Sequence, residues 1–143
     1  MFNPSREDAR RFFLDAWRKH RERLPLQPQE EIVTEIILQH PEYHAVLEDQ
    51  EGSLTREWSE VLGETNPFLH LALHLAITEQ VSIDQPAGMR ERYRSLLMRL
   101  GDDHQTQHRL MHCLVEALWH MQRHSHPFDI AEYLRCIDRA SRR

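Results

Sequence analysis

The twelve residues "NPFLHLALHLAI", positions 66–77, constrain the fold more than any other stretch of the chain. Asn66 and Pro67 open it as a cap residue followed by proline at the first helical position. Behind them, Phe68, Leu69, Leu71, Leu73, Leu75 and Ile77 put apolar side chains on every side of a helix. A helix that is apolar all round must be covered by other elements, so the rest of the chain has to supply them. The exceptions in this helix are His70 and His74, two titratable rings in its most apolar turns.

The surrounding sequence supplies helices and nothing else. Ala9, Phe12, Phe13, Ala16 and Trp17 form one stripe at i, i+3, i+4, i+7 and i+8. They predict a first helix that starts at Asn3-Pro4 and runs to about Arg23, with Pro25 and Pro28 marking a turn. A second helix begins near Pro28 with Ile32, Val33, Ile36 and Ile37 inward, and His40 falls on the same face. Pro41 disfavours helical geometry at His40, which predicts a kink or a fresh short helix from Pro41 to about Glu48. Residues 49–65, with Gly52 and Gly63, read as the longest irregular stretch. The third helix spans 66–80. A fourth starts near Pro86, carries Met89, Tyr93, Leu96, Leu97 and Leu100, and stops at Gly101. A fifth runs from Asp102 to Arg123, and a sixth follows Pro127 with Ile130, Tyr133, Leu134 and Ile137 inward. No segment alternates with the period of two that a half-buried strand requires. The expectation is an all-α, single-domain bundle of five or six helices over residues 1–140, with a frayed basic tail at 141–143. The third and fifth helices are expected at its centre, because Leu110, Met111, Leu114, Val115, Leu118, Trp119 and Met121 make the fifth apolar all round too.

Several function classes drop out on composition. A net charge of −5 with histidine neutral leaves no basic face for nucleic acid. No run approaches the ~18 apolar residues of a membrane span, and "MFNPSREDARRFF" places charges where a signal peptide needs an apolar core. The expected location is therefore cytoplasmic. Cys113 and Cys136, the two cysteines, belong to no Cys-x-x-Cys motif and read as reduced and buried.

The polar residues inside the apolar helices carry the functional reading. His70 and His74 are one pair at i, i+4. His112 and Glu116 are another, with His108 and His120 one turn further at either end. That spacing sets two side chains ~40° apart around the axis and ~6 Å along it. Two imidazoles so placed converge on one ion, as in His-x-x-x-His zinc sites. If the third and fifth helices lie side by side, His70, His74 and Glu116 form a ligand set that His44 or His112 completes. Three nitrogens and an oxygen suit zinc or iron, and also nickel or copper. "HPEYH" contributes His40 and His44, although Pro41 breaks simple helical phasing between them. His20, His104, His124 and His126 are expected at the surface. Should the site be catalytic, an ion would activate water with Glu79 or Glu116 accepting the proton; the residues do not decide whether the protein is an enzyme, or on what substrate.

Two rival readings use the same residues. In the first, the histidines form a metal-free polar network satisfied by hydrogen bonds, in a non-enzymatic interaction module that forms a homodimer or takes a protein partner through an exposed apolar patch. In the second, two histidines hold a non-covalent haem. The chain lacks Glu-x-x-His, His-Glu-x-x-His and Cys-x-x-Cys-His motifs, a phosphate-cradling glycine loop and a recognisable nucleophile motif.

"MFNPSREDARRFFLDAW", "HPEYH", "NPFLHLALHLAI" and "CLVEALW" together resemble the proteobacterial family catalogued as domain of unknown function 1841. The resemblance covers nearly the whole chain and is most specific in "NPFLHLALHLAI". It implies a small cytoplasmic protein and supplies no catalytic residues. It places His40, His44, Asn66, His70, His74, Glu79 and Glu116 within recurrent motifs, and implies glutamate where this chain has His112.

Overall fold

The computed structural model describes residues 4–59 and 62–142, and every described regular element is helical. The expected cap at Asn3 and the last residue of the basic tail lie outside them. Eight α-helices occur among the described residues: α1 (Pro4–Arg21), α2 (Pro28–Leu38), α3 (His44–Glu48), α4 (Gly52–Thr55), α5 (Pro67–Ile83), α6 (Met89–Leu100), α7 (Asp103–His124) and α8 (Ile130–Ser141). A single 3-10 turn, Pro41–Tyr43, precedes α3. The sequence accounts for the six long helices. The count rises from six to eight because α3 restarts after Pro41 and α4 adds one turn inside the stretch read as irregular.

Local chemistry sets most boundaries. Asn66 Oδ1 accepts the amides of Phe68 (3.0 Å) and Leu69 (3.3 Å), two of the donors that a helix start leaves unpaired. Asp102 accepts from Gln105 N at 2.8 Å and Asp129 from Glu132 N at 3.0 Å. Gly101 closes α6 with φ of 74°, a conformation glycine adopts without penalty. The fourth helix starts three residues later than expected, after a cis Gln85-Pro86 bond and Gly88.

The chain forms two compact units, Met1–Leu75 and Ala76–Arg143, and the boundary falls inside α5. In the first unit, α1 packs on α2, α3 and α4. Phe13, Leu14, Ala16 and Trp17 from α1 bury against Val33, Ile36, Ile37, Leu47, Phe68 and Leu71. Arg10 ties α4 to this core. It is 2 % exposed, and its Nη1 donates to the carbonyls of Ser53, Leu54 and Arg56 at 3.2, 3.1 and 2.7 Å. Its guanidinium also lies 5.1 Å from the ring centres of both Trp58 and Phe68. One cation thus satisfies the carbonyls at the end of a four-residue helix with no apolar periodicity of its own.

In the second unit, α6, α7 and α8 pack on one another, around buried Met89, Leu96, Leu110, Tyr133 and Ile137. Tyr133 donates to Gln80 Oε1 at 2.7 Å, and Arg92 holds Asp138 through two nitrogens.

Two expectations are corrected. Neither α5 nor α7 is buried all round: Leu69, Val115 and Trp119 are each about half exposed, so an apolar residue on every side did not mean cover on every side. Cys113 and Cys136 are not reduced thiols but a disulfide. The turn between α7 and α8 brings residues 23 apart in sequence to a Cα–Cα distance of 5.7 Å, a proximity that no spacing motif advertises.

Candidate metal centre

Three histidines of the first unit meet at one point. His70 and His74 lie one turn apart on α5 and present the same face. His40 arrives from the end of α2. Pro41 forces it off helical geometry, to φ −127° and ψ 68°. Its amide still donates to Ile37 O at 2.9 Å, and its carbonyl accepts from Tyr43 N at 3.0 Å. This corner carries the imidazole into the protein, where it meets the α5 pair. The Nε2 atoms are separated by 3.1 Å (His40–His74), 3.2 Å (His40–His70) and 3.2 Å (His70–His74). His74 is fully buried, His40 nearly so, and His70 half-buried at the rim.

These distances are chemically specific. A neutral imidazole nitrogen either carries a proton or presents a lone pair. A hydrogen bond needs one of each. Three nitrogens in mutual contact form an odd ring, so whatever the tautomers, one contact sets like against like. Hydrogen bonding among the three therefore cannot satisfy all the contacts. A cation accepts all three lone pairs at once. Zn–N bonds of ~2.0–2.1 Å at tetrahedral angles hold ligand nitrogens ~3.3 Å apart, close to the separations in this cluster.

The outer contacts prepare the same arrangement. Glu42 Oε1 lies 3.0 Å from His40 Nδ1. A carboxylate oxygen accepts in such a contact, so Nδ1 is the donating side of the ring and Nε2 is the side that faces the cluster. Tyr43 stacks on His40, with centroids 5.0 Å apart, and meets His70 edge-on at 5.7 Å. Burial, and then the neighbouring Glu42 carboxylate, raise the Tyr43 phenol above its ordinary value and keep it protonated. A cavity of about 260 Å³, lined by Trp58, Glu64, Asn66, Leu69, His70 and Leu73, opens beside His70.

Within the first unit the predicted ligands divide. His70 and His74 are together, as their spacing implied. His44 turns elsewhere: its Nε2 donates to Ile37 O at 2.9 Å and its ring lies 4.4 Å from that of Trp17. His40, the other histidine of "HPEYH", is the ring that lies beside the α5 pair. His112 and Glu116 belong to α7 in the second unit, where they pair with each other at 3.3 Å on an exposed face. On the first turns of that helix, His104 and His108 stack at 4.2 Å, and His104 is half-buried rather than fully at the surface. Glu79 is exposed. Pro41 was the usable signal for His40, because a proline after a histidine at a helix end turns that histidine off the helical phase.

No helix among the described residues is long and apolar enough to cross a membrane. Comparison with curated proteins and with solved structures gives no match. A family model described as "Domain of unknown function (DUF1841)" matches residues 5–139. That match spans α1 to α8 and includes His40, His70 and His74, and on it the chain belongs to the DUF1841 family.

Proposed function

We propose that the protein binds one transition metal ion through the Nε2 atoms of His40, His70 and His74. The observation that carries this reading is the triangle of nitrogens at 3.1–3.2 Å, a spacing that three lone pairs shared by one ion would adopt. The Glu42–His40 contact supports it, since a ligand histidine ordinarily donates its other N–H to a carboxylate or carbonyl. Three imidazoles suit zinc or ferrous iron, with nickel and copper close in preference. The half-buried edge of His70 and the cavity beside it supply a route for the ion and room for a small polar ligand.

Elemental analysis of untagged protein purified without chelator tests the reading, together with Co²⁺ titration followed by the ligand-field spectrum. Expected is near-stoichiometric metal in the wild type, lost in His40→Ala and in His70→Ala. His70 is the least buried of the three, so its variant keeps the helical circular dichroism that makes a loss of metal interpretable. A wild type that carries no metal and develops no Co²⁺ bands would overturn the proposal and favour a polar network. Coloured protein with a Soret band would point to haem instead.

A further inference from the structure

The Cys113–Cys136 disulfide lies in the second unit, apart from the histidine reading, and its surroundings are those of a reaction site. The bridge forms part of the wall of a cavity of about 360 Å³ between α7 and α8. Its two sulfurs are unequal. Cys113 is 2 % exposed, whereas Cys136 is half-buried on the same cavity. One carboxylate oxygen of Glu116 lies 3.7 Å from Cys136 Sγ while the other faces His112 Nε2 at 3.3 Å, and Asp129 adds a second acid to the lining. The third, Glu132, is held by Arg135 at 2.8 Å and Arg139 at 3.4 Å, which offsets its charge.

We propose that Cys113–Cys136 is a reversible thiol–disulfide site whose co-reactant is a small neutral or cationic thiol, entering through this cavity. The incoming thiolate attacks the accessible sulfur, Cys136 Sγ. The Cys113–Cys136 bond breaks, and Cys113 leaves as a thiolate that takes a proton from water. When the reductant is a dithiol, its second thiolate attacks its own sulfur in the mixed disulfide. This forms the reductant's disulfide and releases Cys136, which is protonated in turn. Two electrons and two protons pass from the dithiol to the pair. Glu116 acts on the choice of co-reactant: an anionic thiol approaching Cys136 meets a carboxylate, and a cationic one is attracted. One unit charge at ~4 Å in a water-like dielectric changes the encounter by about fivefold.

Native, oxidised protein is treated with dithiothreitol, then with cysteamine or 3-mercaptopropionate, without denaturant, and free thiols are counted by alkylation and mass spectrometry. Expected are two alkylated cysteines per chain after dithiothreitol with helical content retained, full reversal on air oxidation, and cysteamine several-fold faster than 3-mercaptopropionate. Glu116→Gln narrows that gap. In single variants, Cys136 of Cys113→Ser forms a mixed disulfide with an aromatic disulfide reagent at least about tenfold faster than Cys113 of Cys136→Ser, as the difference in access requires. A bridge that opens only on unfolding, or two cysteines that react at equal rates, would overturn the proposal and leave a structural cross-link.

Discussion

The Glu42–His40 contact offers the sharpest test of the metal reading, because Glu42 is remote enough from the core to be changed without unfolding the protein. Its side chain is 58 % exposed, and it meets the candidate centre at His40 Nδ1, 3.0 Å away. If that carboxylate orients the ring and raises the basicity of Nε2, its removal weakens the metal. Contacts of this kind are worth about 10–100-fold in affinity. More than half of the carboxylate faces water, so screening places the effect at the lower end, about tenfold or ~1.4 kcal/mol. Glu42→Ala loses both charge and acceptor and should show this full effect. Glu42→Gln keeps an acceptor oxygen for the Nδ1 proton and loses only charge, so it should fall between the two. Chelator competition for Zn²⁺ gives the affinities, and thermal melts with and without Zn²⁺ give the linked stability. The metal-free melts of all three proteins should coincide, since Glu42 buries little. Equal Zn²⁺ affinity in wild type and Glu42→Ala would refute the orienting role. A variant equally destabilised with and without metal would show that the contact is purely structural.

Other perturbations separate packing from the centre. Arg10→Ala removes a buried cation with three carbonyl acceptors and two aromatic contacts. It should cost about 3 kcal/mol in chemical denaturation, and Arg10→Lys should recover only part of this; an unchanged midpoint would contradict the clamp. Glu30 is held below its ordinary pKa by the Gln27 amide and then by Lys19, whose Nζ is 2.9 Å away. A lowered folded pKa contributes stability above the ordinary carboxylate range and loses it as pH falls. The stability gap between wild type and Glu30→Gln should therefore be full at pH 7 and close in acid, and a gap that widened in acid would reverse the assignment. His44→Ala should lose packing against Trp17 yet retain metal, the opposite of His40→Ala; loss of metal from both would return His44 to the ligand set.

The fold was legible wherever a local device decides it. Pro4, Pro28 and Pro67 begin α1, α2 and α5, because proline loses nothing at a position whose amide has no partner. Gly101 and Asp102 end one helix and cap the next for equally local reasons. The helix α4 was not legible. Its four residues have no periodicity, and the group that satisfies its carbonyls, Arg10, lies more than forty positions upstream. The Cys113–Cys136 pairing was hidden in the same way, since it depends on how α8 folds back along α7.

The site divides along the same line. The His70–His74 pair was legible because helical spacing alone puts two rings on one face. The third member depends on a departure from helical spacing. Read as a helix, "HPEYH" makes His40 and His44 equivalent neighbours. Pro41 removes that equivalence: it ends α2, swings His40 off phase toward α5, and restarts the chain so that His44 points at Trp17 and the Ile37 carbonyl of α2. The same proline leaves Glu42 one residue further on, where its carboxylate reaches back to His40 Nδ1. One five-residue segment thus supplies a ring whose Nε2 faces the α5 histidines and the carboxylate that meets its Nδ1. The two histidines of an otherwise apolar stretch of α5 share one face, and the corner at Pro41 brings a third ring nitrogen to within 3.1–3.2 Å of both.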